Sequence, residues 1–186
     1  GVSVSKKLAK RITWGLVAVA IVAFAFFGYE MLCVDSSELT MSKMDGSWKE
    51  LATDDVTIMY QFNKNGEFTE MRTIDDDGTK YGSMCTGTWE LSKQGVLGQC
   101  ISMKYDIESL VVDGHNEETG EVYDESDPTV NEMKQTLYAK YQKENQEVDK
   151  YKGMDKVYGL NNLTFSNDTI KQNGISIMVK IGDINR

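Results

Sequence analysis

The stretch TIMYQFNKNGEFTEMRTI, residues 57–74, decides how the chain is built. Apolar and aromatic residues alternate through Ile58, Tyr60 and Phe62, stop at Asn-Lys-Asn-Gly, and resume with Phe68. Period-two alternation on both sides of an Asn/Gly turn predicts an antiparallel hairpin. Two registers are open. A two-residue turn at Asn65 and Gly66 sets Tyr60 opposite Met71 and turns Thr69, Met71 and Thr73 inward. A three-residue loop with Gly66 in the left-handed position instead puts Phe62 and Phe68 on one inner face, together with Glu70, Arg72 and Ile74. The second is preferred because it buries both phenylalanines. It also brings an acid and a base inside, which a plain core does not take without pairing them.

Outward from this hairpin the same pattern repeats. DDDGT is followed by KYGSMCTGTWEL, then SKQG, then VLGQCISMKYDIESLVV, so short alternating runs are separated by Asp/Asn/Gly turns. This predicts a mainly β domain built as an antiparallel meander, and a single proline leaves its ladders nearly uninterrupted. Residues 113–127, DGHNEETGEVYDESD, read as a solvated acidic loop, since the spacing of a calcium loop is missing. Asp127 before Pro128 reads as a helix cap, and the following text predicts a helix over 128–152 with Val130, Met133, Leu137 and Tyr141 as its packing stripe. Strand patterns then return in KVYGLNNLTF, TIKQ and ISIMVKI.

Before the meander, residues 12–29 run eighteen positions without a charge, close to the length that crosses a hydrocarbon core as a helix. Residues 1–11 form a basic head with Lys6, Lys7, Lys10 and Arg11 and no acid, which places the head in the cytoplasm. The expectation is a retained single-pass anchor over 12–34 in the plasma (inner) membrane, a connector over 35–44, and an extracytoplasmic or periplasmic domain over 45–186. A cleaved signal ending at Ala23-Phe24-Ala25 competes with it, but the apolar text continues through Phe26 and Phe27. Setting aside the four basic residues of the head and Glu30 leaves 16 of the 20 Lys+Arg against 28 of the 29 Asp+Glu, a net charge of −12. That balance argues against a nucleic-acid partner.

Cys85 and Cys100 flank one predicted hairpin, so a disulfide between them is open. Alternation points them to opposite faces, and only a bulge near residues 96–98 would bring them together. The single His115 cannot supply a histidine-rich metal site or a catalytic triad, and neither a metal nor a cofactor is indicated.

Gly46-Ser47-Trp48 at the head of the first strand, the hairpin FNKNGEF and the later GTWEL together resemble the lipocalin-like (calycin) small β-barrel domains of bacterial cell-envelope proteins. The resemblance implies that Trp48 closes one end of a small barrel; this sequence departs from the pattern in placing the long helix before the last strands instead of after the barrel. Trp89 is then an inward residue of a middle strand, and each Gly-x-Trp glycine makes room for a large neighbouring ring.

Two functions compete on this reading. The first is a non-enzymatic binder of a small apolar molecule or peptide, lined by Trp48, Tyr60, Phe62, Phe68, Glu70, Arg72, Tyr81, Trp89, Met103 and Tyr105, residues that serve equally well as a core. The second is an accessory or scaffolding subunit of a membrane-protein assembly. An enzyme is not expected, because no nucleophile, base and orienting group can be named together.

Overall fold

The computed structural model describes residues 37–51, 53, 55–152 and 159–182. The fold is mainly β, as the alternation predicts. The strands are β1 (Gly46–Glu50), β2 (Thr57–Phe62), β3 (Glu67–Asp76), β4 (Thr79–Lys93), β5 (Gln99–Asn116), β6 (Val122–Tyr123), β7 (Leu160–Ser166), β8 (Thr169–Gln172) and β9 (Ile175–Gly182). A short helix α1 (Met41–Met44) precedes them, and α2 (Pro128–Tyr151) lies between β6 and β7. All pairings are antiparallel, in the order β4-β3-β2-β1-β9-β8-β7-β5-β6. Because β4 also pairs with β5, eight strands close into a ring and β6 stands outside it.

The register at the decisive hairpin is the preferred one. Phe62 faces Phe68, Tyr60 faces Glu70, and Ile58 faces Arg72. Gly66 has φ +92° and its N–H bonds to the Asn63 carbonyl at 2.9 Å, so glycine supplies the left-handed position that the three-residue loop requires. Inward residues then align across the strands in rows. Gly46, Phe62, Phe68, Gly87 and Tyr105 form one, Trp48, Tyr60 and Glu70 the next, and Ile58 and Arg72 the one after.

One end of this interior is closed by residues 39–44. Leu39 and Met44 are buried, and the Gln99 side chain pairs with both backbone groups of Leu39, at 2.7 and 2.8 Å. The segment expected as a polar connector is therefore part of the core, because Leu39 and Met44 are buried in it and Met41 packs against it.

The helix is capped by Asp127, whose carboxylate accepts from the N–H groups of Thr129 and Val130 at 2.9 and 3.1 Å. Val130, Met133, Leu137 and Tyr141 are its buried residues, the expected stripe. β5 pairs with β7 only around Gln99 and Ile101 and with β6 at Gly114 and His115. Between these points α2 runs beside β5, and the Asn145 amide bonds to both the N–H and the carbonyl of Tyr105 at 2.8 Å, as a neighbouring strand would.

Two expectations need correction, and the cysteine pairing left open is not formed. Residues 113–127 are not one loop: β5 continues to Asn116 and pairs back with β6, because Gly114 and His115 accept a short returning strand. Cys85 and Cys100 are both buried and unbonded. Cys100 pairs with Ser92, seven positions along β4 from Cys85, or roughly 20 Å at strand rise, and the two thiols face opposite sides as alternation requires. The Gly-x-Trp symmetry holds only in part: a Cβ at Gly87 would meet the Phe68 ring at 2.7 Å, but one at Gly46 would meet the Gly182 carbonyl and the Lys180 side chain. Among the described residues no helix is long and apolar enough to cross a membrane, and the expected head and span, residues 1–34, lie outside them.

Candidate functional site

The interior rows bring together one polar cluster in an otherwise apolar core. Glu70 and Arg72 sit two apart on β3, and strand geometry therefore gives them the same inward face. Arg72 Nε donates to Glu70 Oε1 at 2.6 Å, with both side chains almost fully buried. Tyr141 from α2 donates to the same oxygen at 2.5 Å, and Tyr105 from β5 donates to Glu70 Oε2 at 2.5 Å. The rings of Tyr105 and Tyr141 stack at 4.1 Å between centroids, and the Arg72 guanidinium lies 5.9 Å from the Tyr141 ring. Three donors from three elements thus meet on a single carboxylate.

Next to this pair, Glu50 at the end of β1 accepts from the Tyr60 hydroxyl at 2.7 Å. Its second oxygen, Oε2, is buried with no hydrogen-bond partner among the described residues. Burial, helped by the nearby Glu70 and opposed by the Tyr60 bond and Arg72, pushes Glu50 up to about 8. The charge balance explains why: one guanidinium compensates one buried carboxylate, so the second acid is held neutral near neutral pH. Burial would pull Arg72 down, but Glu70 and the tyrosine oxygens outweigh it and raise the group well above its ordinary value, so it stays charged. Burial likewise raises Tyr60, Tyr105 and Tyr141 far above the ordinary phenol range, which keeps them as donors.

Of the residues expected at a site, Tyr60, Glu70, Arg72 and Tyr105 belong to the cluster. Phe62 and Phe68 pack directly beneath it, Phe68 edge-on to Tyr105 at 5.2 Å. The tryptophans lie farther off and do mechanical work. Trp48 Nε1 donates to the Met44 carbonyl at 2.8 Å, tying β1 to α1. Trp89 Nε1 donates to the Asn63 and Glu67 carbonyls at 3.0 Å, clasping the loop between β2 and β3. Met103 is half-buried opposite Trp89, and Tyr81, also half-buried, sits against Gly114 away from the cluster.

No protein-family model, curated protein or solved structure matches the chain.

What the cluster can do follows from its chemistry. Glu50 holds a proton near neutral pH but has no nucleophile beside it. Cys85, the nearest thiol, is pushed up to about 11 by burial and donates to the Asp106 carbonyl, which leaves it a poor nucleophile. Among the described residues no three His, Cys, Asp or Glu side chains converge as a metal site. Two members were missed in the sequence. Glu50 lies two residues after Trp48 and so shares its face, a signal that was legible; Tyr141 was read only as packing, since nothing in a helical stripe shows where a hydroxyl ends.

Proposed function

We propose that the domain is a non-enzymatic accessory module of a membrane-protein assembly, its ring of strands a lipocalin-like barrel held outside the cytoplasm by the span expected over residues 12–34. The observation that carries this reading is the occupied interior. Trp48, Tyr60, Phe62, Phe68, Trp89 and Tyr105 are each at most 5 % exposed, the last five pack ring against ring and Trp48 packs on Phe165, and Glu70 is satisfied by the protein's own donors. An interior filled this way stabilises a rigid body whose working surface is its exterior.

A second reading, a carrier of a small apolar molecule or peptide, is favoured by one observation: the Oε2 of the neutral Glu50 carboxyl is buried without a partner among the described residues, so a ligand bearing one polar acceptor would find an O–H donor there.

Purification of the full chain from its native membrane in mild detergent separates the two. The first reading expects defined membrane proteins at fixed stoichiometry. A chain that emerges alone, with a small molecule bound by native mass spectrometry, overturns it in favour of the second.

A further inference from the structure

The outer face of the sheet carries a row that the interior cluster does not involve. Lys49 stands opposite Met59, Met59 opposite Met71, Met71 opposite Met84, and Met84 opposite Val111, so five adjacent strands contribute one residue each. On β2 and β3 these positions alternate with buried ones and face outward. Met84 is 48 % exposed and Met59 and Met71 are partly exposed. Solvent-facing strand positions are ordinarily polar, yet three consecutive strands here present thioethers. The flanking rows hold Thr57, Thr73, Gly82 and Asp113 on one side and Gln61, Thr69, Thr86 and Asp106 on the other, so no carboxylate stands next to Met71, and the two aspartates flank the β5 end of the row.

The spacing lets the three sulfurs meet. A residue in the middle of an antiparallel sheet aims its N–H and carbonyl at one neighbour only, so its two opposite pairs are one wide and one narrow. Met71 therefore has its methionine neighbours at Cα separations of about 5.5 Å and about 4.5 Å. Unbranched, flexible methionine side chains on one face at that spacing can converge on a single point above Met71. Neutral sulfur donors are soft, and a set of three thioethers selects a soft monovalent cation over magnesium, calcium or zinc. The net negative charge of the domain draws cations to its surface.

We propose that Met59, Met71 and Met84 form a three-thioether surface site for Cu(I), for which Ag(I) is a non-oxidisable stand-in. The site is independent of the interior and of the accessory reading above.

The test uses the full chain in detergent with its ten methionines labelled at the ε-methyl carbon, titrated with Ag(I) and, anaerobically, with Cu(I). The methyl resonances of Met59, Met71 and Met84 are expected to shift together and saturate at one equivalent beyond the share taken by thiols. Met71→Leu keeps the apolar volume and the fold, and should abolish the shifts of Met59 and Met84. Met84→Leu should act in the same way on Met59 and Met71. Binding at cysteines only, with these methyls unmoved, overturns the site, as do shifts that survive Met71→Leu.

Discussion

The two ends of the interior use the same strands in opposite ways. At one end Trp48, Leu39 and Met44 are buried in one apolar core, and a single hydrogen bond to the Met44 carbonyl satisfies the only polar atom of the Trp48 side chain. Across the same row and into the next, Tyr60 on β2 and Glu70 and Arg72 on β3 form a cluster held by Glu50 from β1, Tyr105 from β5 and Tyr141 from α2. The apolar end derives its stability from area removed from water, which is insensitive to small displacements. The polar end derives little net energy from its ion pair, since desolvation offsets the attraction, but it penalises every arrangement that separates the partners. The difference teaches that the cluster specifies how helix and sheet sit together, and that the tryptophan end supplies the bulk of the stabilisation.

That contrast can be broken first at its apolar end. Trp48→Ala leaves a cavity under residues 39–44 and should cost about 3 to 5 kcal/mol in urea melts; a loss on the scale of surface substitutions would mean that this end is not the stabilising one. At the polar end Arg72→Leu strands Glu70 as an uncompensated buried charge, and chemical denaturation should register a loss of about 3 kcal/mol or more. Replacing Glu70 and Arg72 together by apolar residues of similar volume should cost much less than that single change. Equal losses for the single and double variants would contradict the view that the pair specifies more than it stabilises.

A subtler difference between the ends is their response to pH. Glu50 goes from an ordinary value of 4.5 to about 8 in the fold, so between these values the folded state binds more protons than the unfolded chain. Stability therefore falls as pH rises through that window, and Glu50→Gln should flatten the decline while leaving the acid side little changed. Thermal melts of both proteins across the window measure this, and parallel curves would remove Glu50 from the account. The smallest effect is expected at the seam of helix and sheet: Asn145→Ala frees two backbone groups of Tyr105 and should cost about 1 to 2 kcal/mol. Hydrogen exchange at the Tyr105 amide should accelerate in that variant, and an unchanged rate would assign protection of the edge to something other than Asn145.

Much of the fold was legible because one residue set its register. Burying both Phe62 and Phe68 required the Gly66 loop, and from that choice Glu70 and Arg72 followed inward by period-two alternation. The helix was equally plain, since Asp127, Pro128 and the four-residue stripe are local signals. What escaped were long-range relations. Alternation says which face Cys100 occupies but not that its strand neighbour is Ser92, and composition calls residues 35–44 polar without showing that Leu39 and Met44 join the core. The cluster was half legible for the same reason: β3 shows its two charges, but the partners that make them tolerable come from β5 and α2, which only the folded chain brings within reach.

The ring closes through its first and last strands, and this has a consequence for the order of folding. β1 pairs with β2 on one edge and with β9 on the other, so Gly46–Glu50 must wait for Ile175–Gly182. The hairpins from β1 through β5 have short connections and can form as the chain is made, whereas closure joins segments more than a hundred residues apart. Such non-local pairing is slow. Until β9 arrives, the nascent meander presents the bare edge of β1 to any other strand, a template for pairing with the wrong chain. A ribosome stalled before residue 175 should therefore carry a sticky half-ring, and the protein becomes safe to its neighbours only with its last strand.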